Sequence, residues 1–293
     1  MNRVHAQRIS VVVPSFNQAR WLGDTLSSLL AQGDENLEII VMDGGSTDGS
    51  DAVIARFRKH LAHVEQGPDG GQSAAIARGF EFATGGILAW LNSDDMHLPW
   101  TLAAWRDAFA REPALALVHG DRIVIDEHAR VLEYRSLRLM PHWLLARMPW
   151  FAQETFAFRR EAYDAVGGID RDMRFAMDYD LFVRLLAHGR TRYLPRLLGA
   201  FRWHETSKSA TIQGSIGAAD MHAVRIRYGL PQWPRLHPGR VAASAAVRVG
   251  SAVFRLLPHD VSQRPTRCGF DVRDLFRAAP PREPRAVPSS DLW

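Results

Sequence analysis

Short runs of aliphatic and β-branched residues alternate with stretches of helical period from Ile9 onward, and this alternation limits the folds open to the chain more than any other feature. Ile9 to Val13, Leu37 to Met42 and His63 to Glu65 are each followed by a helical pattern, in turn Trp21 to Gln32, Asp51 to His60 and Gln72 to Ala83. Strands that alternate with helices in this way predict βαβ units, hence an α/β, doubly wound, mainly parallel sheet. A fourth run, Ile87 to Leu91, is almost wholly apolar, as a strand covered on both faces must be. After a helix from Trp100 to Arg111 the alternation loosens. Leu115 to His119, Arg122 to Asp126, Val131 to Arg135 and Thr155 to Arg159 read as strands, and Arg160 to Val166 and Asp178 to His188 as helices closed by glycine. With 46% hydrophobic residues in a chain of 293, a substantial core can be buried, and we expect one large domain followed by a C-terminal extension.

Each apolar run ends in polar residues, and open α/β sheets bind ligands at that edge, where helix N-termini offer unpaired N–H groups to anions. Val13 gives way to Pro14-Ser15-Phe16-Asn17. Met42 gives way to Asp43-Gly44-Gly45-Ser46-Thr47-Asp48, a carboxylate able to accept hydrogen bonds from a nucleobase, then small residues that let a planar ligand approach the backbone. The plainer reading of this segment is an acidic turn in which Ser46, Thr47 or Asp48 caps a helix. An EF-hand loop fits worse, since Gly45 and Ile54 stand where oxygen ligands are needed. Gln66 to Ser73 is a glycine-rich loop that opens a helix on which Arg78 could reach a phosphate. Asn92-Ser93-Asp94-Asp95 sets carboxylates at a strand end, where they can hold a hard divalent cation against a diphosphate or serve as a turn and cap. Neither a G-x-G-x-x-G fingerprint nor a Walker lysine occurs, which argues against dinucleotide oxidoreductases and P-loop phosphotransferases.

Taken in order, the Val-Val-Pro-Ser-Phe-Asn opening, Asp43 to Ser50, Gly70-Gly71-Gln72-Ser73 and Asn92-Ser93-Asp94 resemble the motifs of the family-2 glycosyltransferases of the GT-A fold, over about Ile9 to Ser209. The resemblance implies a GT-A catalytic domain at 1–209, with a Rossmann-like nucleotide-sugar-binding half at 9–95 and an acceptor-binding half at 96–209. A helical, basic extension with a flexible tail is expected at 210–293. The implied donor is a nucleotide-diphosphate sugar, held by Pro14, Ser15, Asn17, Asp43, Gly44, Gly71, Gln72, Arg78 and Ser93, with Asp43 on the base. The implied cofactor is a divalent metal, Mn2+ or Mg2+, on Asp94 and His204, with Asp95 as a further candidate. Asn92 stands where the family's Asp-x-Asp motif begins, which leaves one anionic ligand fewer. Gly167-Gly168-Ile169-Asp170 and Ala176 to Leu181 resemble the acceptor region and make Asp178 the general base, with Met177 in place of the usual Glu. Without that neighbouring charge, burial or other partners must tune the base. Arg202-Trp203-His204 resembles the family's late histidine motif, and Gln153 and Glu154 are candidates to touch the acceptor.

The expected reaction is transfer of one sugar, by first expectation from a UDP-sugar, to an acceptor hydroxyl with inversion, in bacterial-type polysaccharide or glycoconjugate biosynthesis. The processive Gln-x-x-Arg-Trp motif is absent, which favours single transfer over polymer synthesis. A catalytically degenerate nucleotide-sugar-binding protein is the non-enzymatic alternative. A sugar-phosphate nucleotidyltransferase would need an arginine-containing glycine-rich loop near the N-terminus, and a glycoside hydrolase would have no need of a nucleotide crevice.

A single cysteine, Cys268, excludes an internal disulfide framework and a cysteine-built zinc site. The polar N-terminus has no secretory-leader pattern and no apolar run reaches the ~20 residues of a membrane span, so a cytoplasmic enzyme is expected. Residues 235–293 carry ten arginines against five carboxylates, a surplus of five in a chain of net charge +4, so the remainder sits near −1. Arg240, Arg248 and Arg255 recur on one helical face opposite Val241, Val249 and Val253, a pattern that suits packing on the domain or peripheral contact with the inner face of the plasma membrane. The expected acceptor is a carbohydrate or a lipid-linked glycan, and no nucleic-acid partner is expected.

Overall fold

The computed structural model, which describes residues 8–140, 142–147, 151–232, 238–256 and 269–278, gathers the strands into one nine-stranded mixed sheet. These are β1 (Ile9–Ser15), β2 (Leu37–Asp43), β3 (His63–Gln66), β4 (Ile87–Trp90), β5 (Met96–His97), β6 (Leu115–Ile125), β7 (Val131–Arg135), β8 (Ala157–Arg159) and β9 (Arg190–Arg202). Their order is β3-β2-β1-β4-β8-β6-β9-β5, with β7 paired to β6 outside that path. The four strands of the first half are parallel, as the alternation predicts. From β8 onward the sheet turns mixed: β8 runs antiparallel to both β4 and β6, β9 parallel to β6, and β5 antiparallel to β9.

Register decides where the site lies. Ser15 pairs with Asp43 and Asp43 with Gln66, so the polar ends of three parallel strands fall on one edge of the sheet. Alternate residues of the same strands point to opposite faces. Val11, Val13, Ile39 and Val41 pack with helices α1 (Ala19–Leu30), α2 (Ser50–Phe57) and α4 (Thr101–Arg111). Val12, Ile40, Met42 and Trp90 pack with α3 (Gln72–Phe82) and α5 (Met177–His188) on the other side. On α1, Leu22, Leu26 and Leu29 recur at helical spacing and are fully buried, each contributing about 2 kcal/mol of apolar transfer.

Three expectations change. The runs 115–119 and 122–126 join into one strand, Leu115–Ile125, in which the intervening Asp121 is buried with its carboxylate satisfied by Tyr193 Oη (2.7 Å), Ser136 Oγ (3.0 Å) and the Leu137 amide (2.9 Å). Thr155 leaves the β8 strand for a 3₁₀ turn, Gln153–Thr155, where its hydroxyl bonds the Ala152 carbonyl at 2.7 Å instead of leaving the backbone to pair. In the extension, α6 (Ala218–Arg227) is followed by α7 (Pro238–Leu256), in which Arg248 does not oppose the valines: Val241 and Val249 are exposed beside it while Ala243, Gly250 and Ser251 are buried. The side chains of Arg240, Val253 and Arg255, together with Cys268 and residues 279–293 of the expected flexible tail, lie outside the described residues. Residues 269–278 return to the β6–β7 hairpin, where Gly269 and Phe270 bond Val131 and bury Val272 and Leu275.

Candidate active site

The edge of β1 and β2 is built from backbone turns closed by short polar side chains. Asp43, the last residue of β2, is 3% exposed, and its carboxylate accepts the Ser46 hydroxyl at 2.5 Å and the Ser46 amide at 3.1 Å. Asn17, at a left-handed φ of 53°, donates its amide to Ser46 Oγ and accepts from the Thr47 amide. Asp48 bonds the Ala19 amide at the start of α1 and the Ser50 amide and hydroxyl at the start of α2. The plain reading of the segment, an acidic turn with caps, thus holds for Asp48 and for part of Asp43. Ser15, paired beside Asp43, keeps a buried hydroxyl without a protein partner among the described residues.

The glycine-rich loop enters α3 at Gly71, whose φ of 105° a side chain would strain. Gln72 then donates to Asn92 Oδ1 at 2.7 Å, and Asn92 Nδ2 lies 3.3 Å from both Asp95 Oδ2 and Gln153 Oε1. Asn92 is therefore a hub: its amide both accepts and donates, which an aspartate in its place could not do. Ser73 donates to the Met173 carbonyl and ties this loop to the segment that precedes α5. Arg78 goes elsewhere. Its guanidinium lies over Phe82 and pairs with Glu65 and Glu81 on the surface.

Asp94 and His204, 110 residues apart in sequence, meet at the end of β9, with Asp94 Oδ2 at 2.9 Å from His204 Nε2. The imidazole is 2% exposed, packs against Trp21 with ring centroids 4.1 Å apart, and is oriented through Nδ1 by Thr206 Oγ1 at 2.8 Å. Asp95 is turned inward, where it accepts the Arg202 amide at 2.9 Å, and burial followed by the charges of Asp94 and Glu154 holds its acid well above the usual carboxylate range. As a donor set for a divalent cation, Asp94 and His204 offer one hard oxygen and one imidazole, and among the described residues no third His, Cys, Asp or Glu completes a cluster with them. Such a pair fits an ion whose remaining positions go to water and substrate phosphate, the usual arrangement for Mg2+ and related ions at diphosphate sites.

Sequence reasoning overlooked what holds this corner in place. Arg202 is fully buried, and its guanidinium donates to the Asp94, Asp126 and Glu127 carbonyls and to Asp24 Oδ2 at 3.0 Å. The only signal was an arginine closing the apolar run Leu197 to Phe201 beside a conspicuous His. Arg122 was equally silent: its Nε lies 3.0 Å from Glu154 Oε1, its Nη2 bonds the Phe151 carbonyl, and it covers Phe201. Glu154 is buried, which pushes its acid up while Arg122 pulls it down, and Gly199 passes so near that a Cβ there would meet Glu154 Cγ at 2.5 Å.

Asp178 stands in the first turn of α5, half-buried, with Oδ1 accepting the Tyr179 amide at 2.7 Å. Burial raises its pKa to about 6, moderated by the Tyr179 amide and Arg122 and reinforced by Glu154. Arg122 and Glu154 are thus felt at both Asp178 and Asp95. Met177, where the resemblance expects Glu, is 5% exposed in the apolar core, so the adjacent residue supplies no charge and burial is the largest influence on Asp178.

A parallel first half, a mixed second half and an acidic corner at the strand ends define a GT-A architecture. Solved structures share it: Staphylococcus aureus TarS 1–349 in complex with UDP-GlcNAc has a TM-score of 0.61 at 17% identity, over 84% of this chain and 71% of that one. The mannosyltransferase PcManGT from Pyrobaculum calidifontis in complex with GDP-Man and Mn2+ has a TM-score of 0.58 at 20% identity, over 84% and 75%. The sequence model of glycosyl transferase family 2 matches residues 10–167, and the chain belongs to that family. An uncharacterized glycosyltransferase of Nostoc sp. is 31% identical over 180 residues, 56% of this chain and 54% of the relative. The chondroitin synthase of Pasteurella multocida is 24% identical over 193 residues, 64% of this chain and 20% of the synthase. The chain thus spans about half the length of the first relative and a fifth of the second. Asp178 and His204 both lie beyond the matched 10–167 segment. Among the described residues no helix is long and apolar enough to cross a membrane.

Proposed function

We propose that this family-2 glycosyltransferase moves a single sugar from a nucleotide-diphosphate sugar, a UDP-sugar first among candidates, to an acceptor hydroxyl with inversion at the anomeric carbon, in the assembly of a polysaccharide or glycoconjugate. The observation that carries the reading is the meeting of Asp94 with His204 at the end of β9. Neighbours of the same fold in complex with UDP-GlcNAc and GDP-Man support a nucleotide-sugar donor. The nucleoside would lie along the β1–β2 edge, with Asp43 and the free hydroxyl of Ser15 toward the base and Gly71 and Gln72 toward the sugar diphosphate. Asp94 and His204 would hold Mn2+ or Mg2+, which supplies charge neutralisation for the departing diphosphate.

Asp178, ionised above about pH 6, accepts the proton of the acceptor hydroxyl. The acceptor oxygen forms its bond to the anomeric carbon as the bond to the diphosphate oxygen breaks on the opposite side, so configuration inverts. Gln153 and Glu154 sit between the acidic corner and Arg122, where they can orient the acceptor or the Asn92 hub. A lipid-linked acceptor would agree with peripheral contact through the basic extension at the inner face of the plasma membrane. The test is a thermal-unfolding screen of nucleotide sugars with and without Mn2+, followed by NMR of the product's anomeric configuration. Stabilisation by no nucleotide sugar would overturn the reading, because a bound donor must raise the unfolding temperature by mass action.

A further inference from the structure

Helix α6 belongs to the extension, yet its side chains reach back to both ends of the first turn of α5. Asp220 Oδ2 accepts the Phe175 amide at 2.7 Å and lies 3.4 Å from the Ala176 amide, the two residues that lead into the helix bearing Asp178. Phe175 stands just before the N-cap residue Ala176, so a carboxylate 45 residues onward fixes the backbone where it enters the helix, at the end that favours negative charge. Two residues past Asp178, the buried carboxylate of Asp180 accepts Tyr228 Oη at 2.8 Å and Arg227 Nη1 at 3.1 Å on one oxygen and Arg184 on the other. Arg227 also pairs with Asp170 at 2.9 Å, and Arg184 bonds the Val166 and Gly168 carbonyls, so the loop 166–176 is held at its far end as well. The approach is close: a Cβ on Gly217 would meet the Phe175 ring at 2.8 Å.

We propose that Asp220 and Tyr228 are positioning residues for the base, so that the segment 217–228, beyond the family match, completes the catalytic site by bracketing Asp178 between two anchored neighbours. The proposal rests on Asp178 as the general base. A side chain in the first turn of a helix moves with that turn, and misplacement on the scale of 1 Å is enough to impair proton transfer. Among the described residues no hydrogen bond or ion pair joins Asp220 or Tyr228 to the β1–β2 edge, and the α3 loop meets the braced segment through Ser73 on Met173, so loss of the brace is expected to act more on turnover than on donor binding.

The experiment compares Asp220→Ala, Asp220→Asn and Tyr228→Phe in the full chain. Asp220→Ala is expected to lower kcat about tenfold with donor KM within about twofold, and Asp220→Asn, which keeps an oxygen acceptor, restores most of the loss. Tyr228→Phe is expected to lower kcat about threefold in the same way. Unchanged kcat in folded Asp220→Ala, or parallel losses of kcat and donor affinity in all three variants, overturns the brace. Amide hydrogen exchange over residues 173–182 gives a readout independent of turnover. Faster exchange in Asp220→Ala supports the brace and unchanged protection overturns it, even where the activity reading fails because the wild-type chain transfers no sugar.

Discussion

Along the edge of β1 and β2, short polar side chains satisfy backbone amides no more than 30 residues away, as Asn17 does with Thr47 and Asp48 with Ala19. Around β6 and β9, in contrast, charged side chains are buried and their partners lie far off in sequence, up to the 178 residues between Asp24 and Arg202. The first arrangement shapes a crevice by local turns and leaves its outer atoms to a ligand. The second spends buried charge to bring distant segments together, and it stands or falls as a unit, because a buried ion that loses its partner keeps its desolvation cost.

The comparison is tested most severely at the base. Asp178→Asn is expected to reduce kcat by roughly 10²- to 10⁴-fold while leaving the donor Kd unchanged, measured by turnover and by titration calorimetry. In the wild type, log kcat should fall with unit slope below about pH 6, since only ionised Asp178 accepts a proton. If Asp178→Asn turns over normally, the crevice has another base. Next comes Arg202→Ala, which takes from Asp24 its nearest cation, leaving Arg273 at 3.9 Å, and removes the guanidinium donor from the Asp94, Asp126 and Glu127 carbonyls. A loss of about 3–5 kcal/mol in denaturant unfolding is expected, and a loss under 1 kcal/mol would show that the second half does not depend on its buried charge.

Acid pH sets two buried groups of the second half against each other. His97, buried against Trp105, has its pKa lowered to about 3 by burial, while in the unfolded chain it takes a proton near 6.5. The unfolded state therefore binds more protons below pH 6.5, and this residue removes up to about 1.4 kcal/mol of stability per pH unit of acidification until the folded pKa is reached. Asp121, raised to about 6 by burial, opposes it: the folded state holds that proton more tightly, so its contribution grows as pH falls from 6 toward the ordinary 3.8. His97→Phe should flatten the acid limb of stability measured between pH 4 and 6.5, whereas Asp121→Asn should steepen it. The smallest effect is expected at Arg78→Ala. Its partners Glu65 and Glu81 are surface groups, so stability should change by less than about 0.5 kcal/mol and donor affinity by less than about twofold. A tenfold loss of donor affinity there would return Arg78 to the diphosphate.

Much of the first half was legible because period, strand length and strand-end chemistry agree there: the parallel strands and the placement of Asp43 follow from local pattern. The later elements were read as strands and helices with small shifts in their ends, but their antiparallel pairing about β8 depends on which distant strands meet, and no local period encodes that. Asp94 and His204 were singled out through motif order, and their contact is a finding of the fold. Arg122 and Asp220 left no trace, and Arg202 stood out only as a member of the late histidine motif, since each is one charged residue whose importance comes from a partner elsewhere in the chain.

The buried guanidinium of Arg202 also bears on how the protein unfolds. It joins α1, the β4–β5 loop and the β6–β7 hairpin through a strand that arrives late in the chain, so neither motif-bearing half can be cut free as an autonomous module. Loss of structure should accordingly be all-or-none across residues 9–204, with a fluorescence transition at the tryptophans coincident with the loss of ellipticity.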